Sequence, residues 1–337
     1  MPKFSVLMAN YNNEKYISDA IQSVMNQTFT DWELLIINDG STDNSLKKIE
    51  PYLNDERITL IINESNIGVS KSLCKLVAES NSEIFGTLDS DDVLTPDAID
   101  ITYSAHIENE NHGLIYTQFM YCDKGLQEIT IGFCKYITPS SMNLREVCAS
   151  AFRTFKKKDY LKTYGFRSVE SHTPAIREAY PEDHDIVFQM EEVTQLYYVD
   201  KICYKHRILS DSASNNPLYK NIGYLFLIDC KYDAYLRRKK TNVPNLSKFE
   251  MSIDLMRAVF LSLFLKQYRG IIHYFRKSIS IYPMVLFALP FVFIQKIFER
   301  IKKIKREITN NTQSISTDYQ RINKEIQHQL YISTLRK

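Results

Sequence analysis

Four short apolar runs open the chain, each stopping abruptly at polar residues, and this repeated stop constrains the fold more than any other feature. Phe4 to Ala9 ends in Asn10-Tyr11-Asn12-Asn13, and Leu34 to Ile37 ends in Asn38-Asp39-Gly40-Ser41. Arg57 to Ile62 ends in Asn63-Glu64-Ser65-Asn66, and Glu83 to Leu88 ends in Asp89-Ser90-Asp91-Asp92. Glu14 to Gln27 has helical spacing through Tyr16, Ile17, Ala20, Ile21 and Val24, and Ser70 to Ser80 also reads as a helix. Strands alternating with helices predict an α/β fold, a mainly parallel sheet flanked by helices on both faces. Right-handed crossovers would bring all four strand ends to one edge, where open α/β sheets bind ligands.

The fourth stop is the sharpest. Asp89, Asp91 and Asp92 put three carboxylates within four residues, and such anions repel one another unless a cation or hydrogen-bond donors compensate. A hard divalent ion held by one or two carboxylates and by substrate phosphates meets that need. The plainer alternative is a solvated acidic turn leading into a helix, with Thr95 as its cap and Pro96 at its first position.

With 337 residues, 44% hydrophobic and 24% charged, the chain has ordinary globular composition, read as one large domain plus an appendage. Six cysteines show no CxxC spacing or metal-ligand cadence, which predicts isolated thiols in a reducing cytosol. The first apolar run is too short, and too polar afterwards, for a signal peptide. Charge is unevenly spread. Residues 1–230 carry 21 Lys and Arg against 33 Asp and Glu, whereas residues 231–306 carry 17 against 4. A basic second half suggests an anionic surface as its partner.

Ala9-Asn10-Tyr11-Asn12, Gln27-Thr28-Phe29, Asn38-Asp39-Gly40-Ser41-Thr42-Asp43, Asn66-x-Gly68 and Leu88-Asp89-Ser90-Asp91-Asp92 together resemble the family 2 glycosyltransferases, which have the GT-A fold. The resemblance is strong over residues 1–100, weaker over 101–215 and absent beyond about 230. It implies a nucleotide-sugar site that includes Ala9, where the family often has Pro. Tyr11 would lie against the base and Asp39 would accept a hydrogen bond from it. Asn66 belongs to the same edge, Lys71 would approach the diphosphate, and Asp91 would contact the ribose. Asp92 would coordinate Mn²⁺ or Mg²⁺, with His206 reaching the metal or the diphosphate and Arg207 a second candidate there. In the family an acidic pair resembling Glu182-Asp183 opens a helix facing the acceptor, and its Asp, here Asp183, serves as general base. A helix N-terminal turn favours the ionised carboxylate, and Ile186, Val187 and Met190 would anchor that helix on the sheet.

Beyond Lys231, basic clusters alternate with apolar helix-like runs. Ser278 to Gln295 has no charged residue, but Pro283 and Pro290 would break a straight membrane span. An in-plane anchor on anionic lipid is the preferred expectation, over a soluble core helix or a transmembrane span. The chain thus divides into 1–230 as the GT-A domain (1–100 nucleotide-binding, 101–230 acceptor), 231–306 as a basic, membrane-associating helical extension, and 307–337 as a polar tail. The function expected is an inverting, metal-dependent glycosyltransferase in surface polysaccharide synthesis. It would take a nucleotide-sugar donor, a UDP-sugar, and a glycan or lipid-linked glycan acceptor, at the cytoplasmic face of the cell membrane and with no nucleic acid partner. A nucleotidyltransferase is the alternative enzyme, disfavoured because Ala9 to Asn13 has neither Gly nor Arg. A non-catalytic sugar-nucleotide-binding or membrane scaffold protein is the other.

Overall fold

A computed structural model describes residues 1–138, 142–167, 182–209 and 217–286. The N-terminal half runs β1 (Phe4–Asn10), α1 (Ile17–Met25), β2 (Trp32–Asp39), α2 (Ser45–Ile49), β3 (Ile58–Asn63), α3 (Val69–Glu79) and β4 (Ile84–Thr87). There follow β5 (Val93–Leu94), α4 (Ala98–Glu108), β6 (His112–Cys122), β7 (Glu128–Ile131), β8 (Arg153–Lys156) and α5 (Lys157–Tyr160). The chain continues with α6 (Glu182–Val193), β9 (Gln195–Arg207), α7 (Pro217–Arg238), α8 (Lys248–Phe264) and α9 (Tyr268–Ile281).

One sheet has the order β3-β2-β1-β4-β8-β6-β9-β5, with β7 paired to β6. β1 is parallel to β2 and β4, and β2 to β3, as the strand–helix alternation predicts. Helices cover both faces of this half, so β1 and β2 are apolar almost throughout rather than alternating. The sheet turns antiparallel at β8, which pairs with β4 and β6, and β5 pairs antiparallel with β9. It is therefore mixed. β5 is only two residues long, too short to leave a periodic signal in sequence. Its pairing with β9 ties the segment after the acidic turn to the far end of the chain. The helix after that turn starts later than its sequence suggests, at Ala98. Pro96 stays outside, where its carbonyl accepts from Thr28 N at 2.8 Å.

Two apolar cores form. One surrounds the sheet and includes Ile186, Val187 and Met190 of α6, as the apolar face of that segment predicts. The other gathers α7, α8 and α9 with Phe188, from another side of α6. A division at residue 230 falls inside α7. Leu225, Phe226 and Ile228 before it and Ala234 and Tyr235 after it are all buried in the second core, so the helix cannot be parted there. All six cysteines are free thiols. No helix among the described residues is long and apolar enough to cross a membrane, and the second half of Ser278 to Gln295, from residue 287, lies outside them.

Candidate active site

The parallel strands end in step, so their polar ends meet. Asn10 is in register with Asn38, and Asp39 with Asn63. Asn10 Nδ2 donates to Asn38 Oδ1 at 3.1 Å, tying the first two strand ends together. Asp39, almost wholly buried, accepts at Oδ1 from Asn63 Nδ2 (2.8 Å) and Ile67 N (3.0 Å), and at Oδ2 from Gly68 N (2.9 Å). Its first work is thus to shape the 66–68 loop, leaving Oδ2 one acceptor position for a ligand. Asn66 Oδ1 also takes the Gly68 N–H, at 2.9 Å. Tyr11 is 47% exposed beyond the end of β1, Lys71 is exposed on the first turn of α3, and Ala9 is half-buried.

The acidic turn is divided between two jobs. Asp92 is buried, accepting at Oδ2 from Tyr204 Oη (2.8 Å) and His206 Nδ1 (3.0 Å), and at Oδ1 from Arg207 N (2.7 Å). Three protein donors thus hold the Asp92 carboxylate and leave one acceptor position, on Oδ1, for the metal-ligand role expected of it. Arg207 completes the clamp. Its Nε donates to Asp91 O at 2.8 Å and Nη2 to Asp19 Oδ2 at 3.0 Å, while the guanidinium lies 4.6 Å over the Tyr16 ring. Arg207 is therefore a structural staple and not free to meet a diphosphate. Burial lowers the His206 pKa, but the hydrogen bond and charge of Asp92, with Asp89 and Asp91 adding, raise it overall and favour the imidazolium. Nδ1 is engaged by Asp92, which leaves Nε2 as the ring nitrogen for a metal or an anionic ligand.

Asp89 and Asp91 are left without a hydrogen bond from any described residue to their carboxylates. Asp89 is exposed on one side but crowded from behind, and burial, then Asp92, pushes it up to about 6. Asp91 is pushed up to about 7 by burial, then by Asp92 and Asp89. Two desolvated, mutually repelling hard anions are the donor set a divalent cation with phosphate ligands needs. No three His, Cys, Asp or Glu side chains among the described residues converge on one point, so phosphate oxygens would complete any such shell. An open cleft of about 440 Å³, lined by Asn12, Asn13, Lys15, Thr42, Asp43 and Asp91 among others, lies beside the turn.

Asp183 comes from the other side. It sits in the first turn of α6, where Arg153 of β8 holds its backbone oxygen at 3.2 Å and its Oδ2 at 3.4 Å. Its Oδ1 is buried with no hydrogen-bond partner among the described residues. Burial raises the Asp183 pKa, but His184 and Arg153 outweigh it and hold the carboxyl below its ordinary value. Asp183 is also one of the charges acting on Asp89, so the two acids share one field although 93 residues separate them. Asp185 is different. It is wholly buried and accepts from Arg167 Nε and Gln189 Nε2, both at 2.8 Å, which makes it a packing group.

The sequence profile described as Glycosyl transferase family 2 matches residues 5–162. The chain carries a family 2 glycosyltransferase domain. The chain is 29% identical over 219 residues, 65% of its length, to chondroitin synthase of Escherichia coli. The chain spans only 31% of that synthase's length. Among solved structures, the chain resembles S. aureus TarS 1–349 in complex with UDP. TM-score is 0.52, identity 16%, and coverage 84% of this chain and 91% of that one. It also resembles the mannosyltransferase PcManGT of Pyrobaculum calidifontis in complex with GDP-Man and Mn²⁺. There the TM-score is 0.53 and identity 11%, with 89% of this chain and 80% of that one covered. At such identity these two likenesses establish the GT-A-type α/β fold. Arg153, Tyr204 and Asp19 belong to the site but give no sequence signal, because each acts through a partner distant in the chain. Asp89 does have one, in the Asp-x-Asp spacing it makes with Asp91.

Proposed function

We propose that this glycosyltransferase moves a sugar, with inversion, from a nucleoside-diphosphate sugar to a hydroxyl of a membrane-held glycan in surface polysaccharide synthesis. The observation that carries the reading is the placement of a half-satisfied Asp183, held below its ordinary pKa, within the field of the free Asp89 carboxylate. Asp89 and Asp91 are the ligands this structure offers to Mn²⁺ or Mg²⁺, which when bound would stabilise charge on the departing diphosphate. His206, as a cation, favours the same charge. Tyr11 and the open acceptor position of Asp39 serve the base, a uridine by the likeness to the UDP-bound TarS structure. Asn66 lines that edge through its loop. Lys71, exposed on the first turn of α3, would approach the phosphates. Asp183 takes the proton from the acceptor hydroxyl as that oxygen bonds to the anomeric carbon and the bond to the nucleoside diphosphate breaks. The acceptor half lies in residues beyond 100, with α6 as its wall.

Asp183→Asn tests this. Nucleoside diphosphate release with acceptor present should fall by about 10²–10⁴ while donor binding persists. Turnover near the unmodified rate would remove Asp183 as base, and release of pyrophosphate in place of nucleoside diphosphate would make the protein a nucleotidyltransferase.

A further inference from the structure

The outer face of α9 is apolar and uncovered among the described residues. Tyr268, Ile272 and Phe275, at i, i+4 and i+7, lie on one side of the helix and are 71%, 55% and 38% exposed. Leu263 and Phe264 at the end of α8 extend the patch, at 57% and 75% exposed. The α8–α9 turn that joins them is fixed. Lys266 adopts φ +56°, its N–H bonds Leu263 O at 3.0 Å, and Gln267 N bonds Ser262 O at 2.8 Å, the paired bonds of a Schellman cap. The inner face of α9 is pinned as firmly. Tyr274 Oη donates to Asp229 Oδ2 at 2.9 Å, and Ser278 Oγ to Ser252 O at 2.9 Å. The apolar side therefore points outward by construction.

Exposed cations frame it. Lys266, Arg269 and Arg276 pair with no carboxylate among the described residues, and residues 255–298 contain no Asp or Glu at all. We propose that this face docks on an anionic lipid bilayer, with Phe264, Tyr268 and Ile272 entering the interface and Lys266, Arg269 and Arg276 meeting the headgroups. Charge argues against the other occupants. A second copy would set the same three cations against themselves in a two-fold pair. The chain's own segment 287–306 carries six Lys and Arg against Glu299 alone, so it would bring like charge to like. The surface stands independently of the donor-site reading.

Flotation of the full chain with vesicles tests it. Binding is expected to vesicles containing phosphatidylglycerol, not to phosphatidylcholine alone, and to weaken with salt. Arg269→Glu with Arg276→Glu should lower vesicle affinity at least about tenfold, and Phe264→Ser with Ile272→Ser should abolish it, with melting temperatures near that of the unmodified protein. Trp32, the single tryptophan, is buried, so Tyr268→Trp adds a reporter whose emission should shift blue on anionic vesicles. Three results would overturn the proposal. They are indifference of the intact chain to anionic vesicles, undiminished binding by the apolar variant, and reporter emission already blue before lipid is added, which means the chain itself or a second copy covers the face.

Discussion

Tyr204 and Asp92 are 112 residues apart and joined by a 2.8 Å hydrogen bond from the phenol to the carboxylate. The same phenol oxygen accepts from Asp89 N at 3.2 Å, so one side chain of β9 sets both ends of the acidic turn. The bond explains why neighbouring acids in a single motif differ in kind. Asp92 is held by three protein donors, whereas Asp89 and Asp91 have none on their carboxylates from the other described residues, and Asp91 lines the cleft.

Substitution should separate those roles. Asp92→Ala strips three donors of their acceptor in a buried setting and should lower stability by about 2–4 kcal/mol. Asp91→Asn should leave the melting temperature unchanged or higher, because it relieves carboxylate repulsion, yet greatly weaken Mn²⁺-dependent nucleotide binding. Thermal melts and calorimetric titration of nucleotide with and without metal check both. A stable Asp92→Ala protein that has lost only metal binding would make Asp92 a ligand rather than a support of the turn.

Arg153 should govern the acid limb of the pH profile. Its charge, with that of His184, offsets burial and keeps Asp183 ionised below the ordinary carboxylate range. The sign follows directly: a base with a lowered pKa stays active as pH falls, and removing a cation that lowers it raises that pKa. Arg153→Met should therefore move the acid limb of kcat/KM to higher pH, and Arg153→Lys should largely restore it. A profile measured across the acidic range checks this, and a uniform drop in rate without displacement of the limb would mean Arg153 only packs.

Gly40 should tolerate no side chain. It follows Asp39 with φ +69°, and a Cβ there would lie 2.6 Å from Asn66 N and from Ser65 C. Both contacts are backbone, which cannot swing aside, and the conformation itself disfavours other residues. Gly40→Ala should cost about 1–3 kcal/mol and displace the loop that Asp39 holds. Donor affinity should fall along with the melting temperature, and a variant that melts normally and binds normally would contradict the close approach.

The sequence by itself determined the parallel half of the sheet and the edge on which its polar ends meet. Strand runs buried on both faces and amphipathic helices are local patterns, and right-handed crossovers leave little choice in joining them. The same holds for α6, whose Ile186, Val187 and Met190 were legible as a buried face before any contact was known. Tertiary structure alone decided which acids were spent and which were left. Asp89, Asp91 and Asp92 are chemically alike in sequence, and only β9, folding back more than a hundred residues later, supplies Tyr204, His206 and the Arg207 amide to one of them. It decided as well that Arg207 is a staple, that α7 continues through residue 230, and that β5 exists, since a two-residue strand is defined by its partner rather than by its own pattern. Hydrogen bonds and charge pairs between distant segments have no period and no composition. They become visible only when packing brings the segments together.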